Sequence, residues 1–298
     1  VIEVFLALPW QGFLWLGGLI AIAYLAACAY LVFWQTHFIF YPQAVIRATP
    51  TAFNLDYEDI WLPVPTALGQ TEYLHGWWIP ASDPEAPVWL FLHGNGSNIG
   101  DEIKHAFWFK QLGYSTFAID YRGYGRSEGK FPKETSVYDD AEAAWTYLTQ
   151  VKQIPPEQIF LYGHSLGGAI GIELARRHPE LAGLVVEGSF TSLRAMVDCT
   201  YPFWMFPIDL MLHQQFNSLS KVSALAMPVL FAHGTNDRVV PAHMSQTLYE
   251  AAPEPKKLLI VPGAGHQNVG ELSGDDHFQA IQWVVEQAQS QPVQLAER

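Results

Sequence analysis

Charge, cysteine and basic residues are all scarce in this chain. Only 15% of its 298 residues are charged, against roughly 25% in an average soluble domain. With 50% hydrophobic residues beside that low charge, an intrinsically disordered chain is excluded. Two cysteines leave no disulfide framework and no cysteine-rich zinc site. Lys and Arg number 16 against 29 Asp and Glu, a formal net charge of -13 that repels phosphate backbones, so nucleic acid is not an expected partner. The 23 Gly and 20 Pro follow no period, which excludes a collagenous or low-complexity chain, and no internal repeat is present. HExxH, a Walker glycine loop and paired-cysteine zinc spacing are missing, and the glycines of RGYGRSEG at Arg122 miss GxGxxG by one residue. No metal and no cofactor is therefore expected.

Charge is missing altogether from Val4 to Ile46, and the run from Gly12 to Trp34, GFLWLGGLIAIAYLAACAYLVFW, is almost wholly apolar. As a helix it spans about 35 Å, enough to cross a hydrocarbon core of about 30 Å with some tilt. Aromatics stand at both ends, Trp10, Phe13 and Trp15 before and Tyr30, Phe33, Trp34, Phe38 and Tyr41 after, as interfacial belts require. A cleavable signal peptide needs a basic start and a shorter apolar core, whereas the only early charge is Glu3, so the helix is expected to be retained. Leu25-Ala26-Ala27-Cys28 has the shape of a lipoprotein lipobox, but the apolar run continues past Cys28 and no basic residue precedes it. Arg47 follows the run and no Lys or Arg precedes it, which favours a cytoplasmic location for the rest of the chain. The expected organisation is an anchor over 1–35, with a single transmembrane helix over about 12–34, a globular domain over 36–289 and a tail over 290–298. The lipid bilayer is the expected partner, and the helix offers a surface to a second membrane protein.

Beyond the anchor, strand-like and helix-like segments alternate. Apolar runs suited to buried strands are Val88 to Leu92, Thr116 to Ile119, Ile159 to Tyr162, Leu184 to Val186, Val229 to Ala232 and Leu258 to Val261. Tyr57 to Pro63 and Tyr73 to Ile79 read as antiparallel strands leading in. Helical stretches fall between them at Asp101 to Leu112, Val137 to Val151, Leu166 to Arg177, Ala242 to Ala251 and Asp276 to Ala288. Such a rhythm predicts an α/β fold, a mostly parallel central sheet with helices on both faces. A long, aromatic, Pro-interrupted stretch over about 190–223 breaks it and reads as an inserted cap.

Ligands of an open parallel sheet bind beyond the carboxyl ends of the strands, so the residues there carry the chemistry. Tyr162 is followed by Gly163-His164-Ser165-Leu166-Gly167, a GxSxG match between strand and helix. The turn is so sharp that side chains next to the serine would collide, which is why glycines flank it. A serine that merely capped the helix would need no glycines on either side. Ser165 is thus the expected nucleophile, and a serine hydroxyl needs a base held by a third group. In the chain order Ser, acid, His, the run ending at Ala232 leads to Asp237 and the run ending at Val261 leads to His266. His243 and His277 satisfy the order too, but both fall in predicted helices. Glu187 is the rival acid and is read as polar lining of the site. Two N–H donors for a developing oxyanion are expected from Leu166, directly after the nucleophile, and from Asn95 in the loop His93-Gly94-Asn95-Gly96-Ser97-Asn98. His93 is read as anchoring that loop, and His75, His105, His178 and His213 as surface or satisfied positions. Asp139, Asp140 and Glu142 read as a solvated helix face. Tyr201, Phe203, Trp204, Met205, Phe206, Leu210 and Met211 of the cap either line an acyl-chain pocket near the bilayer or pack the cap on the core.

The set HGNGSNIGDE at His93, DYRGYGRSEG at Asp120, GHSLGG at Gly163, HGTNDRVVP at His233 and PGAGH at Pro262 resembles the α/β-hydrolase superfamily. The likeness is greatest to its membrane-anchored bud-emergence type and the related α/β-hydrolase-domain proteins that include protein depalmitoylases. It covers roughly residues 35–288, FIFYPQ at Phe38 included. The resemblance implies an α/β-hydrolase fold, a serine hydrolase acting on an ester or thioester of lipid or acyl-protein type, and a fold-holding role for Asp120 and Arg122. The depalmitoylating relatives carry a cysteine-rich N-terminal segment where this chain has a hydrophobic span. A dehalogenase would carry an aspartate where Ser165 stands. Two other functions remain open: a peptidase of prolyl-oligopeptidase type, which shares the triad order, and a non-catalytic membrane scaffold on a hydrolase body. Because the apolar and acidic compositions join near Gln35, removing residues 1–35 is expected to release a soluble, active domain.

Overall fold

In the computed structural model, which describes residues 4–66, 69–200 and 203–290, the charge-free run forms a single helix, α1, over Val4–Ile39. Its 36 residues make a rod about 54 Å long. By length and composition it is able to cross a membrane. The strands and helices that follow, in chain order, are β1 (Glu58–Pro65), β2 (Thr71–Ile79), β3 (Val88–Leu92), α2 (Ile103–Gln111), β4 (Ser115–Ile119), α3 (Glu134–Thr146), β5 (Ile159–His164), α4 (Leu166–Arg177) and β6 (Gly183–Glu187). Three short helices, α5 (Leu193–Thr200), α6 (Ile208–Met211) and α7 (Leu219–Val222), fill the stretch read as a cap. Then come β7 (Val229–Gly234), α8 (His243–Ala251), β8 (Lys256–Val261), α9 (Val269–Ser273) and α10 (Asp275–Ser290).

The eight strands form one sheet in the order β1-β2-β4-β3-β5-β6-β7-β8. β1 and β2 pair antiparallel, β2 joins β4 antiparallel, and every later pair is parallel. The apolar runs follow from this topology. In β3 every residue is buried, Val88, Leu90 and Leu92 on the face covered by α3, α4 and α8, Trp89 and Phe91 on the face covered by α2 and α10. A strand covered on both sides has no polar face to alternate with. Trp89 stacks on Phe109 of α2 at 4.9 Å and on Phe160 of β5 at 5.1 Å, tying sheet to helix.

Buried charge replaces what the sequence suggested was surface. Asp140 is buried in α3 and takes the Arg122 Nε–H at 2.6 Å and the Arg122 backbone N–H at 2.8 Å, so it belongs to an internal ion pair rather than a solvated face. Asp120 accepts the Ile99 N–H at 2.9 Å and so pins the loop after β3. His75 is fully buried, with Nε2 2.7 Å from Asp59.

The C-terminal part of α1, from Tyr24 to Ile39, does not stand apart from the domain. Tyr24, Cys28, Leu31, Gln35 and Ile39 recur at helical spacing on the face turned to the cap. The Gln35 Oε1 accepts the His213 and Gln214 N–H groups at 2.8 and 3.1 Å, and its Nε2 donates to the Met211 carbonyl at 3.2 Å. Tyr24 donates to the Met205 carbonyl at 2.8 Å and stacks on Phe206 at 5.6 Å. The expectation that residues 1–35 come away cleanly does not fit this packing, because the cut would strip the cap of its partner.

Candidate active site

Four loops at the carboxyl end of the sheet converge. Ser165 sits between β5 and α4 with φ 54° and ψ -115°, a conformation side chains rarely adopt and one that stores strain of about 1–3 kcal/mol. Glycines make the turn possible: a Cβ on Gly163 would strike the Gly167 backbone, one on Gly167 the Leu92 carbonyl, and one on Gly168 the Ser189 side chain at 2.7 Å. The Ser165 N–H is held by the Glu187 carbonyl of β6 at 2.8 Å.

His266, in the loop after β8, places Nε2 3.0 Å from the Ser165 Oγ. Its Nδ1 is 2.7 Å from Oδ2 of Asp237, in the loop after β7. Asp237 is held in turn: Oδ1 accepts the Val239 and Val240 N–H groups at 2.8 and 2.9 Å, and Oδ2 lies 3.0 Å from the His233 Nε2. Burial pushes its carboxyl up, but the hydrogen bonds from His233 and His266 outweigh that and keep it well below the ordinary carboxylate range. Asp237 is thus held as a carboxylate at neutral pH.

Asn95 and Leu166 border the same cavity as Ser165. Leu166 opens α4, so its N–H has no acceptor within the helix. The Asn95 side chain is committed elsewhere: Oδ1 takes the Tyr41 N–H at 2.9 Å and the Tyr124 hydroxyl at 2.8 Å, and Nδ2 donates to the Ile39 carbonyl at 2.5 Å. It therefore clamps the end of α1 to the loop after β3. His93 is buried, its Nδ1 2.8 Å from the Gly94 carbonyl.

The rival candidates lie apart. The Glu187 side chain turns into the core and accepts the Tyr162 hydroxyl, so it does not line the site as its position in the chain suggested. His277 is buried in α10 with Nε2 3.2 Å from the Tyr162 hydroxyl, and His243 is exposed at the start of α8.

A buried ionic pair beneath the site went unseen in the sequence. His164, the x of the Gly163 motif, places Nδ1 3.1 Å from Glu102 Oε1 and Nε2 3.0 Å from the carbonyl of His266. Burial lowers the His164 imidazole, but the Glu102 carboxylate outweighs it and raises the group to about 9, so both nitrogens donate at neutral pH. A histidine raised above its unfolded value of 6.5 stabilises the fold fully below that value, and the contribution is lost as pH climbs through about 9. Melting curves from about pH 6 to about pH 10 should show the native protein losing Tm on the alkaline side, while His164→Gln starts lower and declines less. Parallel curves for the two proteins would refute this.

The cavity holds about 970 Å³, at the upper end of ligand pockets. Of the cap residues singled out in the sequence, Phe203 and Met211 line it. Trp204, 85% exposed, and Leu210, 82% exposed, point outward, because the 3₁₀ turn Phe203–Met205 and the single turn of α6 give Phe203, Ile208 and Met211 the inward positions. Phe206 packs on Tyr24 instead, and Tyr201 lies outside the described residues. The opposite wall comes from α1 itself, through Leu31 of the expected transmembrane run, Gln35 at the end of the expected anchor, and Phe38 and Ile39 at the start of the expected domain. Gln35, an amide ending an apolar run, was the available sign.

Comparison with known proteins accords with this architecture. The family model described as serine aminopeptidase, S33, matches residues 83–221 and 211–273. The Mycobacterium tuberculosis protein Rv2307c is 34% identical over 266 residues, covering 88% of this chain and 92% of its own. Protein bem46 of Schizosaccharomyces pombe is 30% identical over 238 residues, 78% of each chain. The Pyrococcus furiosus esterase Pf2001 superposes with a TM-score of 0.66 at 20% identity, over 82% of this chain and 98% of that one, a likeness of fold. On the family match and these relatives, the chain belongs to the serine aminopeptidase S33 family of α/β hydrolases.

Proposed function

We propose that this protein is a membrane-anchored serine hydrolase that cleaves a carboxylic ester or thioester, with α1 as the anchor in the bilayer. The observation that carries the reading is the hydrogen-bonded line Ser165 Oγ, His266 Nε2, Nδ1 and Asp237 Oδ2 opening onto a largely apolar cavity. His266 takes the Ser165 proton as Oγ attacks the acyl carbonyl, and the Asn95 and Leu166 N–H groups hold the oxyanion. The carbon–oxygen or carbon–sulfur bond then breaks, the leaving group takes the proton from His266, and water resolves the acyl-enzyme by the same steps in reverse. Asp237 holds His266 in the tautomer with its proton on Nδ1.

The family description favours a second reading, an aminopeptidase. Such an enzyme needs a carboxylate free to hold the amine of its substrate, and among the described residues lining the cavity the sole carboxylate is Asp237, already engaged by His266. The test is kcat/KM of the full chain on matched p-nitrophenyl esters, acyl thioesters and aminoacyl-nitroanilides. Esters and thioesters are expected to be turned over at least about 100-fold faster than the nitroanilides. Preference for the nitroanilides would overturn the proposal.

A further inference from the structure

The membrane helix is part of the active site. We propose that Leu31, Gln35, Phe38 and Ile39 of α1 form one wall of the acyl-binding site, and that the substrate is a bilayer-resident ester or thioester of a long acyl chain. The inference rests on the hydrolase reading above and goes further by naming where the chain lies and which phase supplies it.

Three fixed points give the direction of the cavity along α1. At its inner end the Ile39 carbonyl and the Tyr41 N–H are bound by Asn95, beside Ser165. In the middle, Gln35 is buried against Met211 and His213. At the outer end Tyr24 binds Met205 at the tip of the cap. From Ile39 back to Tyr24 the helix runs about 22 Å, and its first part, about 12 Å to Leu31, lines the cavity. The cavity follows the helix away from the nucleophile over Ile39 to Leu31, and beyond Tyr24 lies a stretch whose side chains are bare: Phe13, Trp15, Leu19 and Ile22 are each more than half exposed. Trp204, Met205 and Leu210 of the cap are exposed, and the Met205 carbonyl is bound to Tyr24 at the edge of that stretch. Side chains this apolar are stable in lipid rather than water, so a bilayer that takes up the start of α1 brings the cap tip to its surface. An acyl chain already in that leaflet reaches Ser165 between α1 and α5, whose Met196 and Val197 line the other side, without crossing water. The sole ionised groups among the described lining residues are Asp237, which serves His266, and Arg238, so the bulk of the cavity suits a methylene chain.

The experiment uses the full chain in phosphatidylcholine nanodiscs. Leu31→Trp fills the wall, and it is expected to lower the ratio of kcat/KM for p-nitrophenyl palmitate over acetate at least about tenfold. Phe33→Trp, on the opposite and 79% exposed face, is expected to leave that ratio alone. Labelling by a small fluorophosphonate reports whether each variant is folded, and Leu31→Phe is the milder substitute should Leu31→Trp fail to label. An unchanged ratio in a labelled Leu31 variant overturns the wall while leaving the hydrolase reading intact. Wild type that hydrolyses no ester or thioester overturns both. Two further arms separate the sources of the chain, a monoacylglycerol and an S-palmitoyl peptide, each in phosphatidylcholine vesicles. Turnover of either, reduced by Leu31→Trp, supports the proposal; turnover of acetate with neither vesicle substrate cleaved contradicts it.

Discussion

Replacing Ser165 by alanine is expected to lower kcat on a p-nitrophenyl ester by about 10⁶-fold, the loss that follows when a triad nucleophile is removed. In the proposed reaction its hydroxyl oxygen attacks the acyl carbon, and the His266 Nε2 at 3.0 Å is placed to take its proton. Nothing nearby replaces it: Ser189 lies buried under α4 with an unpartnered hydroxyl, and Ser97 donates to Glu102 at 2.7 Å. Alanine keeps the Cβ, so the turn made by Gly163 and Gly167 is undisturbed and the variant should melt close to wild type. Retained turnover in folded Ser165→Ala would remove the nucleophile from the account.

Asp237→Asn is expected to cost about 10⁴-fold in kcat with KM little changed. The carboxylate accepts from four donors, the Val239 and Val240 amides on Oδ1 and His266 and His233 on Oδ2. An amide nitrogen in the place of Oδ2 turns an acceptor into a donor. His266 must then accept at Nδ1 and carry its proton on Nε2, facing Ser165, where it has no lone pair for the serine proton. Geometry survives while the tautomer is wrong. Stopped turnover with intact binding of an ester-product carboxylate separates this from misfolding. A loss below about tenfold would mean that another acid orients His266.

The readable parts of the sequence were those where backbone chemistry is local. An apolar run covered on both faces, like Val88–Leu92, announces a buried strand without any partner being known. Gly163 and Gly167 announce the sharp turn because their side-chain-free positions are a steric demand of the turn itself. Asp237 and His266 were legible because each directly follows a strand and obeys a chain order. What escaped depends on contacts between distant segments. Asp140 lies on a helix whose acidic run looked solvated, and only the meeting with Arg122 shows it inside. The face that α1 turns to the cap is hidden by the helix being apolar all round, which leaves no stripe to mark it. Trp204 and Leu210 read by type as residues that line a pocket or pack the cap on the core, but the short turns that carry them send them outward. The His164–Glu102 pair joins residues 62 apart in the chain, and no spacing rule reports it.

The same contacts change the meaning of the sparse charge. The charge-free segment supplies a wall to the cavity of an acidic domain, and that domain would gain nothing from attraction to an anionic leaflet, so in the proposed anchoring the apolar helix alone holds it to the bilayer. The apolar helix and the α/β-hydrolase domain are joined through Gln35 and Asn95.

Fluorophosphonate labelling of the full chain, followed by peptide mapping, tests the central claim most directly. The account predicts a single adduct on Ser165, absent from Ser165→Ala and suppressed by a long-chain ester. A folded protein that forms no adduct, or that carries it on another residue, would contradict the hydrolase reading and favour a scaffold built on a hydrolase body.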